Sequence, residues 1–143
     1  MLDSILNQLK IVTPHDAACI WLIEGEQAQV ARWEGYPQLK EVTPPVDISL
    51  SVALVPALRR MQTSGKPLVV PHTEENILLT YGPGESWVRS SISAPIHVQG
   101  QLVGFIKADS GEPGYFNETD AHLLAGFTEQ AAIALRNAQI YDQ

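Results

Sequence analysis

SWVRSSISAPIHVQGQLVGFIKADS, residues 86–110, is the stretch that decides the fold. Ile92 to Val98 and Leu102 to Asp109 are strand-like runs on either side of Gln99-Gly100. A glycine in a two-residue connection accepts the positive φ that a tight hairpin imposes. A Gly/Pro/Tyr-Phe break follows, and then one long amphipathic helix opened by Phe116-Asn117-Glu118-Thr119-Asp120. Asn117 is placed as its N-cap and Asp120 three residues on, a capping-box-like pair that also sets acid near the positive end of the helix dipole. A helix of about 25 residues rises close to 37 Å at ~1.5 Å per residue.

Upstream, Leu2, Ile5, Leu6 and Leu9 keep the spacing of an amphipathic helix, and Pro14 ends it. Ala17 to Glu24 and Gln27 to Trp33 read as two strands about a Glu24-Gly25-Glu26 turn. Residues 35–47 read as an extended loop, not a domain linker, because composition does not change across them. A second helix is expected over Ser51 to Thr63. Leu54, Leu58 and Met61 share one face of it, Pro56 falls near the first turn, and Gly65 and Pro67 stop it. Leu68-Val69-Val70 is a short buried strand. Residues 72–89 are the least regular part: Thr73 is a candidate cap for a brief helix to Leu79, Ser86 for a further turn, and Tyr81-Gly82-Pro83-Gly84 is a turn cluster.

A single domain spanning residues 1–143 fits this length. Nine basic against sixteen acidic residues give a net charge of −7, which repels phosphate backbones and anionic membranes. No apolar run approaches the ~20 residues of a membrane span. The start has no basic region followed by an apolar run, so it is not read as a signal peptide. One cysteine cannot form an internal disulfide; with the rest, the expected compartment is cytoplasmic.

Two stripes run along the last helix. Leu124, Phe127, Ala131, Ala134, Ala138 and Tyr141 alternate at three and four residues and should pack on the sheet. Gly126, Ile133 and Ile140 lie opposite, a heptad apart. A helix that only covers its own core does not need isoleucines outside, so these three form a candidate homodimer interface through the terminal helices. The bland alternative, scattered apolar surface residues, stays open.

Helix, two strands, helix, short strand, irregular loop, hairpin and long helix in this order resembles the GAF domain. The residues that carry it are Ser93-Ala94-Pro95-Ile96, residues 99–104 (Gln-Gly-Gln-Leu-Val-Gly), Phe116 to Asp120, residues 129–138 and Gly65-Lys66-Pro67. The resemblance implies an α+β fold, PAS-related, with terminal helices on one face of an antiparallel sheet and variable loops on the other. It resembles most the GAF modules of bacterial multidomain sensors such as histidine kinases, whose last helix continues into the next signalling element. Tyr141-Asp142-Gln143 ends without a capping Gly or Pro, so an excised piece of a larger signalling protein is expected.

The functions that the resemblance opens are narrowed by residue count. Free-methionine-sulfoxide reductases of this family rely on several cysteines, whereas Cys19, within an apolar strand, reads as a buried inert thiol. No cysteine lies between Pro71 and Ser91, so covalent bilin attachment is not expected. The cyclic-nucleotide signature of the phosphodiesterase members has no convincing copy. His15, His72, His97 and His122 give only one close pairing, His15 with Cys19, too few ligands for a metal site. No catalytic set is assembled, and the domain is not read as an enzyme by itself. A small-molecule site of unknown ligand, if present, lies between one sheet face and the irregular segment. Tyr81, Trp87 and Arg89 come from that segment, and Trp21 or Trp33 from the sheet. Aromatic walls suit a planar ligand, and Arg89 suits a carboxylate or phosphate. The alternative is that Tyr81 and Trp87 plug the cavity as core. Input sensing with relay through the last helix, or ligand-free dimerisation, are the two functional expectations.

Overall fold

Alternation along the hairpin, together with the helical spacing at both ends of the chain, sets the architecture. The computed structural model describes residues 2–43, 46–83 and 86–142, with side chains up to residue 137. Three helices, α1 (Leu2–Val12), α2 (Pro56–Ser64) and α3 (Glu118–Asp142), accompany six strands. The strands are β1 (Ala17–Glu24), β2 (Gln27–Glu34), β3 (Ser49–Ser51), β4 (Leu68–Val70), β5 (Ser90–Val98) and β6 (Gln101–Ser110). They form one antiparallel sheet in the order β3-β2-β1-β6-β5-β4. The sequence-final hairpin therefore occupies the middle of the sheet.

Both faces of the sheet are covered. Ala18 and Ile20 of β1, Ile92, Ala94 and Ile96 of β5, and Ile106 and Ala108 of β6 meet Ile5, Leu6 and Leu9 of α1 and Leu124, Phe127 and Ala131 of α3. Fully burying an aliphatic side chain such as Leu9 or Leu124 contributes about 1.5–3 kcal/mol. The neighbouring positions, Cys19, Trp21 and Phe105, face α2 and the loops, with Leu58, Met61, Tyr36 and Tyr81. The terminal helices thus share one face and the irregular segments the other, as the family resemblance implies.

Local expectations hold at several termini. Asn117 and Asp120 cap reciprocally: the Asn117 amide donates to Asp120 Oδ2 at 2.9 Å, and the Asp120 amide to Asn117 Oδ1 at 3.1 Å. Gly65 closes α2 in the left-handed region at φ 68°. The hairpin tip puts both Gln99 (φ 52°) and Gly100 (φ 80°) at positive φ, the two-residue turn whose twist matches the flanking strands.

Three expectations need correction. Ser51 does not begin a helix: Ser49–Ser51 is an edge strand paired with β2, and α2 starts only at Pro56. Its proline sits at the first helical position, where no amide is needed. Leu54 consequently precedes the helix and is 82% exposed, while Ala57, Leu58 and Met61 make the buried face. The brief helix over 73–79 is two separate 3-10 turns, Thr73–Glu75 and Ile77–Leu79, and the residue capping the first is His72 without a side-chain bond. Ser86 lies in a turn and caps no helix.

On α3, Ile133 is 63% exposed and Gly126 is exposed too, consistent with a stripe turned away from the sheet. The side chains of Ile140, Ala138 and Tyr141 lie outside the described residues. Among the described residues no helix is long and apolar enough to cross a membrane.

Candidate functional site

Strand β6 carries two charges into the core. Period-two alternation places Lys107 and Asp109 on the face that looks towards the loops, while Ile106 and Ala108 point to the helices. Their sheet neighbours are small: Cys19 and Ser93 flank Lys107, and Ala17 and Ser91 flank Asp109. Room is thereby left above the strand for long polar side chains. Lys107 is 2% exposed and Asp109 fully buried.

A buried ion pair survives only when geometry and extra hydrogen bonds offset desolvation. Here Lys107 Nζ donates to Asp109 Oδ2 at 2.6 Å, and the Tyr36 hydroxyl donates to the same oxygen at 2.5 Å. Burial, then the adjacent Asp109 charge, hold the Tyr36 phenol well above its ordinary pKa, so it remains a neutral donor. Cys19 Sγ completes the group, accepting from Trp21 Nε1 at 3.1 Å and lying 3.4 Å from the Tyr36 oxygen, whose one proton is already on Asp109. Burial pushes the Cys19 thiol up to about 11. A thiol so held is not a nucleophile at neutral pH, and its packing role matches the sequence reading.

Beside this group lies a cleft of about 200 Å³ between the sheet and residues 73–91. Tyr81, Val88, Ile77 and Pro83 provide its apolar wall, and Arg89, Lys107 and Glu74 its charge. The Lys107 ammonium stands 5.2 Å from the centroid of the Tyr81 ring, within cation–π range. Arg89 Nε pairs with Glu74 Oε1, and its Nη1 donates to Val88 O at 3.0 Å. Thr73 anchors the loop: its hydroxyl donates to Val88 O at 2.8 Å.

The five side chains singled out from sequence do not converge on one space. Tyr81 and Arg89 border the cleft. Trp21 lies beneath, fully buried, its ring centroid 6.0 Å from that of Tyr81. Gly82 passes directly over it at φ 82°, where an added Cβ would stand 2.9 Å from Trp21 Cζ2. Trp87 stacks obliquely on Tyr36 at 6.2 Å. Trp33 belongs to a different depression, donating to Leu39 O at 3.2 Å beside Arg32 and Lys40. Missed altogether were Lys107, Asp109 and Tyr36. The available signal was Lys-x-Asp inside an otherwise apolar strand, a spacing that puts both charges on one face.

Buried polar atoms are nearly always partnered, so exceptions are informative. Four buried side-chain atoms have no hydrogen-bond partner among the described residues: Tyr81 OH, Trp87 Nε1 and Asp109 Oδ1 on this loop-covered side, and Thr13 Oγ1 just after α1. His15, by contrast, is satisfied by Thr13 O at 2.8 Å and Glu34 Oε1 at 2.7 Å. Among the described residues no group of three or more His, Cys, Asp or Glu gathers as metal ligands.

Comparison with known proteins agrees with this architecture. The GAF domain family matches residues 1–135. The GAF domain/HD domain protein from Geobacter sulfurreducens superimposes with a TM-score of 0.80 at 17% identity, over 97% of this chain and 92% of its own. The GAF domain of a phosphoenolpyruvate-protein phosphotransferase from Acinetobacter gives 0.75 at 17% identity, over 95% and 80%. A type II free methionine-R-sulfoxide reductase from Thermoplasma acidophilum gives 0.73 at 15% identity, over 92% and 86%. At such identities the likeness is one of fold. Among curated proteins none matches the sequence.

Proposed function

The chain belongs to the GAF domain family, and on that premise we propose that it is a sensory module of a bacterial signalling protein of the histidine-kinase type, cytoplasmic and not itself catalytic. GAF domains are commonly sensory or regulatory, although two structural neighbours are free methionine-R-sulfoxide reductases. The carrying observation is the cleft over β5 and β6, where a buried ion pair and unpartnered polar atoms meet an irregular loop. A fold that needed only a packed core would lose little with apolar residues at Lys107 and Asp109, so their pairing is weakly explained by stability.

Relay follows from strand β5. Ser91 borders the cleft on one face, while Ile92 and Ala94 pack under α3 on the other. A ligand that favours one placement of β5 therefore biases the seating of α3 across a single sheet layer, limited by its differential affinity for the two states.

A second reading, a ligand-free dimerisation module, rests on exposed apolar residues of the terminal helices: Ile133 and Leu123 on α3, Ile11 and Val12 on α1. Native mass spectrometry of freshly purified protein separates the two. A stoichiometric co-purifying small molecule supports sensing, and an empty dimer supports the second reading. An empty monomer removes the dimer proposal. Ile133→Lys should leave the fold intact and dissociate a dimer.

A further inference from the structure

We propose that the cleft is built for a small monocarboxylate, gripped by Arg89 and Lys107, and that Glu74 is the carboxylate it displaces. The proposal rests on the reading of the cleft as a ligand site and adds the chemistry of the occupant.

Donors dominate the polar lining. Lys107 has three N–H groups and uses one on Asp109; its other two have no hydrogen-bond partner among the described residues. Arg89 offers a planar fork suited to a carboxylate. Of the described residues bordering the cleft, Glu74 alone carries negative charge, and it already sits on Arg89. Its side chain is 70% exposed, so it can turn into water with little loss.

Charge balance then selects the ligand. Asp109 neutralises Lys107, and once Glu74 has left, Arg89 supplies one uncompensated positive charge. A monocarboxylate closes that balance, whereas a phosphate monoester would leave an excess negative charge in a partly desolvated space. Volume limits the remainder. About 200 Å³ is below the ~300–1,000 Å³ of pockets for drug-sized ligands, so nucleotides and tetrapyrroles do not fit. Ile77, Pro83 and Val88 give a short chain or a single ring an apolar wall. Glu74 would thus be an internal stand-in that keeps Arg89 oriented until the ligand arrives.

The test uses the purified chain titrated with butyrate and benzoate against butyramide and benzamide, read by amide chemical-shift changes. The carboxylates should saturably shift Thr73, Val88, Arg89, Ser91 and Lys107, with their amides about tenfold weaker or worse. Glu74→Gln, which removes the competing charge, should tighten benzoate binding, and Arg89→Gln should weaken it about tenfold. The Glu74 side chain is 70% exposed and that of Arg89 33%, so neither substitution opens the core. Equal binding of amide and acid at these residues overturns the carboxylate assignment while the ligand cleft stands. Unchanged affinity in Glu74→Gln overturns the displacement. If none of the four probes shifts these residues, the cleft and the assignment fail together.

Discussion

Replacing Lys107 by Met while keeping Asp109 removes the positive partner of a fully buried carboxylate. Breaking a buried pair from one side costs about 3–5 kcal/mol, because the surviving charge is left uncompensated. The Tyr36 hydroxyl at 2.5 Å remains as a single donor and moderates but does not cancel this. With 143 residues and an unfolding entropy of ~2.1 cal/mol/K per residue, the slope is about 0.3 kcal/mol per degree. The melting temperature should therefore fall by about 10–17 °C. The companion measurement is the double variant Lys107→Met with Asp109→Leu, which leaves no orphaned charge. It should recover most of the loss and give a strongly non-additive cycle, followed by calorimetry or urea denaturation. A Lys107→Met protein melting within about 2 °C of the parent would refute the paired, buried state of these two residues.

Other consequences can be checked alongside. The Cys19 thiol moves from an ordinary 9.0 to about 11, which at 1.36 kcal/mol per unit is about 3 kcal/mol. A raised pKa contributes stability that is complete below pH 9 and lost as pH rises through 11. Urea midpoints should therefore decline over that window, and Cys19→Ala should flatten the decline. Tyr36 and Tyr81, both raised by burial, extend the alkaline loss beyond it. Asn117→Ala should cost about 1 kcal/mol, or ~3 °C, by exposing an unpartnered amide at the start of α3. Leu58→Ala should cost about 2–5 kcal/mol and Leu54→Ala within ~0.5, since only Leu58 is buried; equal effects would put α2 in the wrong register.

Patterns that are local in sequence were legible. The Asn117–Asp120 cap, the Gly65 stop and the Gln99-Gly100 tip each depend on residues a few positions apart, and each is found where expected. The edge strand Ser49–Ser51 was not, because three residues carry no periodicity and their pairing is made by backbone groups. Pro56 then fixed the true start of α2, a fact equally compatible with a helix begun earlier. The site was less legible for a different reason. Tyr36 and Asp109 are 73 positions apart, and the hydroxyl that stabilises the carboxylate comes from a segment that reads as plain loop. Trp33 and Trp87 attracted attention by residue type, yet aromatic identity does not encode which side of the sheet a ring reaches.

The middle placement of the last hairpin also bears on synthesis at the ribosome. Strand β1 pairs with β6 from Ala17↔Asp109 to Leu22↔Gly104, so its inner edge has no partner until the chain has grown past residue 110. At roughly 5–20 residues per second the wait from β1 to β6 is about 4–17 s. During that interval Ala17–Glu24, apolar for most of its length, presents an unpaired edge that invites other chains. Nascent protein halted before β5 should therefore be a chaperone client, and release should follow the emergence of β6 within one folding event. Truncations in this gene are then expected to produce aggregates, not smaller folded domains, because the piece that closes the sheet is the piece made late.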